Sequence, residues 1–551
     1  AQYARDFGKH HVSALFSIEK SEAESEYLQG QRENPYPFTT QQYNSADGEM
    51  TTVFTRSESG TLSYIGRVNY AYADRYLVEF LLRSDASTKF APNNYWGTFP
   101  AISAGWVISE EPWWQNIQAL KFVDFLKIRA SWGLTGRDNL AAWQWMQIYA
   151  QDANRGPVFG TGVQNDSENR ITINKNNSAV NEDVHWDKSY KTNIGLDFQV
   201  LNKRLAVNFD WYYEKNREML LNLAQEIPTP IGTQTASQNL GEMNNWGWEL
   251  GITWRDKIGK DFKYRIGINT GYHDNEVLFM DFPKEYLYRQ ITKGSRTDIG
   301  LWGMQCIGMF RSFQDIEEYF EKYGITSYMG LTKDKVRPGM LIYKDVRGAY
   351  NQETGEYEGP DGIVDKDNDQ VCLSNRSNPY GFTINAHADW KGISLTAQFG
   401  ASWGGYTTLP SAAIGVASSS NIEYYNLPSF WNPDNMYAYQ DVYDGSGNLV
   451  VKQNLDATYP NLAYQSVNSV ASSFWRISAA SVRLSRLTLA YTFPNAWFKS
   501  IGVKNVRVNI TGQNLINFYN PYPDKFTSPM AGTYGNYPTL RRWDIGINLS
   551  F

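Results

Sequence analysis

Between residues 204 and 215 the chain reads RLAVNFDWYYEK, and apolar and polar positions alternate: Leu205, Val207, Phe209, Trp211 and Tyr213 share one phase, Ala206, Asn208, Asp210 and Tyr212 the other. A period of two residues predicts a β-strand, because successive side chains leave the pleated backbone on opposite faces. The same design recurs in TNIGLDFQV with Ile194, Leu196, Phe198 and Val200, in WGWELGITW with Trp246, Trp248, Leu250, Ile252 and Trp254, and in YRIGINTGY with Tyr264, Ile266 and Ile268. Further on, FTINAHADW and LTAQFGASW are joined only by WKGI, which predicts a tight hairpin. In SVRLSRLTLAYTF the phase slips: Val482 and Leu484 hold one register, Leu487, Leu489, Tyr491 and Phe493 the other. One extra residue near Ser485 and Arg486, a β-bulge, would restore the order.

About fifteen such segments of roughly ten residues follow one another with no helical pattern between them, the length a tilted strand needs to cross an apolar band. Two architectures share this pattern. In a soluble sandwich the apolar face is a dry core; in a transmembrane barrel it meets lipid while the polar face lines the lumen. Many segments end in Trp or Tyr, as at Tyr213, Trp254, Tyr272, Trp390 and Trp403, the placement of an interfacial aromatic girdle. Connections alternate between short links, near 202–204 and 256–260, and long stretches at 313–378 and 404–472. The pattern therefore predicts an all-β, transmembrane antiparallel barrel, with the two long stretches as outer loops. Counted back from the last strand and forward from the short links, strand parity disagrees near 300–312, so one strand there is missed or invented.

Composition agrees with this choice. Aromatic residues make up 15% of 551 positions, with 37 Tyr and 19 Trp, yet mean hydropathy is −0.50. Soluble cores draw on Leu, Ile and Val instead. Net charge is −6 with no basic stripe, which gives no footprint for nucleic acid. Cys306 and Cys372 define neither a metal knuckle nor a disulfide framework. No stretch reaches the length of a spanning helix, and the start AQYARDFGKHH lacks a signal-peptide core; an exported chain would have lost its leader.

Three sets of residues carry candidate roles. GPDGIVDKDNDQ, preceded by YKDVRG, offers Asp345, Asp361, Asp365, Asp367 and Asp369 as oxygen ligands for a structural Ca²⁺ or Mg²⁺; the other reading is a solvated acidic turn. Arg347 and the insertion AYNQETGEYEG depart from a regular calcium loop. In the loop NIEYYNLPSFWNPDNMYAYQDVYDGSG, Tyr424, Tyr425, Trp431, Tyr437 and Tyr439 are expected as exposed rings that stack on a sugar or grip a peptide. The final segment RRWDIGINLSF sets Trp543, Ile545, Ile547, Leu549 and Phe551 on one face, and Trp543 and Phe551 are the expected barrel-assembly signal. The five histidines are scattered, His387 falls on the polar face of its strand, and no hydrolase or nucleotide motif stands in context, so no enzyme and no required cofactor is expected.

The blocks YIGRVNYAYADRYLVEFLLRSDASTKF, WGTFPAISAGWVISEE, LKIRASWGLTGRDN, FWRISAASVRLSRLTLAYTFP, VRVNITGQNLINF and YPTLRRWDIGINLSF, in this order, resemble the SusC/RagA family of TonB-dependent outer-membrane transporters. The resemblance implies a 22-stranded barrel with an N-terminal plug. Residues 1–551 would be its C-terminal portion, the plug and first strands lying outside this chain. It also implies import of oligosaccharides or oligopeptides across the bacterial outer membrane, driven through TonB, with a SusD-like surface lipoprotein as lid and two barrel-lid pairs per assembly. A passive porin is the weaker alternative.

Overall fold

The computed structural model describes residues 1–36, 45–143, 145–147, 149–152, 172–175, 180–221, 237–280, 287–409, 411–414, 428–523 and 539–551. Its frame is one antiparallel sheet of fifteen strands, each paired with its neighbour in the chain order of the sheet. We number them β1 Gln2–Phe7, β2 His10–Arg32, β3 Met50–Tyr72, β4 Tyr76–Ser87, β5 Trp96–Val107, β6 Val123–Arg137, β7 Asp187–Val200, β8 Leu205–Leu221, β9 Gln238–Ile258, β10 Phe262–Phe279, β11 Tyr380–Trp390, β12 Ile393–Trp403, β13 Ser481–Thr492, β14 Asn505–Tyr519 and β15 Arg542–Ser550. β1 and β15 have one sheet neighbour each.

Turn chemistry explains the tight links. Lys391 (φ 46°) and Gly392 (φ 87°) join β11 to β12 as a two-residue hairpin, with positive φ at both positions, as the twist of paired strands favours. Leu201, Asn202 and Lys203 all have φ near 60°, and the Lys203 N–H is held by the Asp124 carboxylate at 2.7 Å. These links lie on the rim where β15 ends; the long connections lie on the opposite rim.

The parity conflict resolves here. β10 pairs directly with β11, and segments 301–304 and 306–309 belong to separate two-stranded sheets rather than the main sheet. The extra strand was an invented one. The bulge falls where the phase slip placed it: Arg486 opposes Gln398 and Leu484 opposes Phe399, leaving Ser485 unpaired, with its hydroxyl donated to the Gln398 carbonyl at 2.9 Å. With that one-residue step, Val482, Leu484, Leu487 and Leu489 all join the face of Leu395, Ala397, Phe399 and Ala401.

That apolar face is not packed against a second sheet. Val78, Phe80, Leu82, Ile102, Ile128 and Ile194 are 41–48% exposed, side by side across β4 to β7. Aromatic rings border this band at both ends: Tyr76 stacks on Trp106 at the short-turn rim, Tyr64 on Trp96 towards the other. Trp96 and Trp106 both belong to β5, and Tyr380 and Trp390 bound β11 in the same way. Ten residues at roughly 3.3 Å each, tilted by about 40°, span about 25 Å, the height of the apolar band in an outer-membrane barrel. A soluble sandwich would have buried this face.

The long connections, expected only as outer loops, are folded. They build a second core from Met304, Phe310, Ile316, Phe320, Tyr328, Leu341, Tyr343, Leu409, Phe430, Trp431, Val467 and Trp475, all buried. It includes a helix, α1 (Phe313–Tyr323), that the strand count overlooked. Ser312 and Asp315 form a capping box at its start and Gly324 (φ 66°) ends it, while Ile316, Tyr319 and Phe320 supply the buried stripe.

Candidate functional site

The polar face of the sheet is built as a charged surface. Arg129 on β6, Gly195 on β7 and Asp210 on β8 lie in one cross-strand row. The Arg129 guanidinium crosses over Gly195 to donate to Asp210 at 2.6 Å, and its Nε donates to Asp197 at 3.3 Å. Asn208 completes the cluster, donating to Asp197 at 2.8 Å. A Cβ at Gly195 would stand 2.4 Å from the guanidinium carbon, so the crossing depends on glycine. On β11, His387 contacts the Thr396 hydroxyl and the Asp389 carboxylate, each at 2.8 Å, which puts it on the polar face as expected. Lipid could not accommodate such a surface without several kcal/mol per charge, so it faces water. Sequence reasoning assigned the phase but missed the network, whose signal was Arg and Asp at the same polar phase of adjacent strands.

Above the long-loop rim, the expected stacking rings divide. Trp431 is 9% exposed, donates its indole N–H to the Ala413 carbonyl at 2.7 Å and packs among Phe430, Tyr459 and Trp475. Tyr437 is fully buried, donates to the Arg311 carbonyl at 2.5 Å and is pushed up to about 12 by burial. Both rings are corrected to core roles, because connections this long need a core of their own to hold their backbone. Tyr439 is 42% exposed, edge-on to Phe313. Tyr424 and Tyr425 lie outside the described residues.

The acidic loop organises backbone. Asp369, with no exposed surface, accepts from the N–H groups of Val346, Arg347 and Asp365. Asp365 accepts from Asp367 and Asn368, Asp361 from Ile363, and Asp345 from Gly362 at 2.8 Å. Arg347 donates to the Asn368 and Gln370 carbonyls and sits 4.1 Å over the Tyr288 ring. The second Asp345 oxygen is buried without a hydrogen-bond partner among the described residues. Among the described residues no three acidic, His or Cys side chains are gathered around one point. Burial raises the Asp345 and Asp369 carboxyls above the usual carboxylate range. Cys306 and Cys372 are both free.

On β15 Trp543 is 61% exposed, in line with Ile545, Ile547 and Leu549 on the apolar face, and Phe551, one residue beyond the strand, is 75% exposed. Residues 6–299, just over half the chain, match the family described as TonB dependent receptor-like, beta-barrel. This chain belongs to that family. TonB-dependent receptor P3 of Formosa agariphila is 24% identical over all of this chain and 51% of its own length. TonB-dependent receptor SusC of Bacteroides thetaiotaomicron is 24% identical, over 93% of this chain and 46% of the relative. The chain thus spans about half the length of the curated relatives it matches. In fold it superposes on the RagAB peptide importer, in its closed-closed state, with a TM-score of 0.67, at 19% identity, covering 100% of this chain and 55% of that one. The SusC/RagA resemblance read from the sequence blocks is borne out, and with it a place in the outer membrane. The family is one of transporters, not enzymes.

Proposed function

We propose that this chain forms barrel wall and outer loops of a TonB-dependent importer of oligosaccharides. A SusD-like surface lipoprotein closes over the long-loop rim, and TonB drives uptake through a plug held against the polar face. The observation that supports this most is the two-sided sheet: an apolar band about 25 Å high bordered by aromatic rings on one face, and the Arg129–Asp197–Asp210 cluster on the other. A loop cap with its own core gives a lid a firm platform. Trp543 and Phe551 then serve in assembly, as the exposed apolar face of the last strand.

Uptake of labelled oligosaccharides by cells with and without the intact gene, each with and without a protonophore, tests the reading. Gene-dependent, protonophore-sensitive oligosaccharide uptake is the expected result. Gene-dependent uptake of oligopeptides alone would replace the substrate class, and gene-dependent uptake indifferent to the protonophore would mean a passive pore.

A further inference from the structure

Arg483 differs from Arg129, the polar-face arginine described above. It lies on the polar face of β13, opposite Gly400 on β12, and the same row continues through Thr383 on β11 to Asn269 on β10. A Cβ at Gly400 would stand 3.3 Å from the Arg483 Nε, so the side chain lies over the glycine, along that row. Where Arg129 crosses its glycine to reach two carboxylates, Arg483 reaches none. Its side chain makes no hydrogen bond or ion pair with any described residue, and the Nη1 is shut from solvent without a partner among them.

A cavity of about 470 Å³ opens in front of it, lined by Asn269, Thr383, Ser402, Ser478 and Ser481 and, among the described residues, by no carboxylate. The Ser402 and Ser481 hydroxyls are 2.9 Å apart at its wall. Arg486, exposed and on the same face opposite Gln398, is not among the residues that line the cavity. A guanidinium with an unsatisfied buried donor costs free energy that a ligand carboxylate recovers through charge-assisted, often paired, hydrogen bonds, while the hydroxyls and Asn269 suit the polar groups beside it.

We propose that Arg483 and this pocket form a subsite for a carboxylate group on the transported molecule, at a uronic acid of a glycan or the C-terminus of a peptide. The proposal rests on the import reading, since it makes the polar face a substrate path.

Calorimetric titration of the intact transporter, plug included, in detergent tests it with two matched pairs: digalacturonate against digalactose, and tetraalanine against tetraalanine amide. The expected result is that the acid of one pair binds roughly tenfold or more tighter than its neutral partner. That preference disappears in Arg483→Gln and survives in Arg486→Gln. Preference within the first pair names a uronate, within the second a peptide terminus. No acid preference in either pair, or a preference untouched by Arg483→Gln, overturns the subsite. So does a structure of the intact transporter in which a plug carboxylate already pairs with Arg483. Failure of protonophore-sensitive uptake alongside intact acid-selective binding would instead remove the import reading and leave the subsite standing.

Discussion

One oxygen of Asp345 is buried where nothing among the described residues donates to it. Burial raises the Asp345 and Asp369 carboxyls, so the folded cap holds protons that the unfolded chain has already released. Their contribution to stability is therefore greatest in acid and is lost as pH rises from the ordinary carboxylate range, about 4, through the raised values. Asp345→Asn keeps the shape and removes the charge. The cap should gain about 1 kcal/mol at neutral pH, read from hydrogen exchange of residues 301–477, and a chelator should change nothing. A loss of protection in the variant, with chelator sensitivity, would restore the cation clamp that the sequence suggested. Trp431 supplies a contrast: Trp431→Ala empties a packed site and should cost about 3–5 kcal/mol of cap stability. Tyr439→Ala, at a half-exposed ring, should leave the fold nearly unchanged. These positions show where sequence reading stops. Composition marks a ring as available for stacking, but a loop residue becomes core through contacts from segments more than a hundred positions away, such as Tyr437 on Arg311.

At the scale of elements, period-two alternation identified the strands because each carries one apolar and one polar face, and a single-residue slip would reverse both. For the same reason the bulge at Ser485 was legible, as the only local way to reconcile two phases. Deleting Ser485 should leave Val482, Leu484, Leu487 and Leu489 in one uninterrupted alternation on the apolar face and keep the yield of folded protein in the membrane near that of the parent chain, measured by heat-modifiable migration of the barrel. Helix α1 was equally written in the chain, in Ser312, Asp315, the stripe Ile316, Tyr319 and Phe320, and Gly324. It was missed because a search for strands passes over a period of 3.6 within a long connection. Ser312→Ala should cost the cap about 1 kcal/mol, visible as faster exchange in residues 313–323.

For the whole molecule, the faces matter more than the strand count. Fifteen strands in sequence order follow from short turns on one rim, and the invented strand near 300–312 came from apolar segments that pair within the cap instead. The polar network of Arg129, Asp197 and Asp210 was signalled only by Arg and Asp sharing the polar phase of adjacent strands, and the lone Arg483 side chain was not legible, since a phase tells which side a residue faces but not what lies across the row. All of the functional reading depends on one assignment: that Val207, Phe209 and Trp211 meet lipid while Asn208 and Asp210 face a watery lumen. The most direct measurement is spin labelling at single cysteines through residues 205–213, in an intact transporter whose Cys306 and Cys372 are replaced by serine, reconstituted in lipid. Labels at 207, 209 and 211 should be relaxed by oxygen, which concentrates in the bilayer, and labels at 208 and 210 by a water-soluble nickel chelate, alternating residue by residue. Nickel access at 207 and 209 equal to that at 208 and 210, or the reverse pattern, would contradict the account.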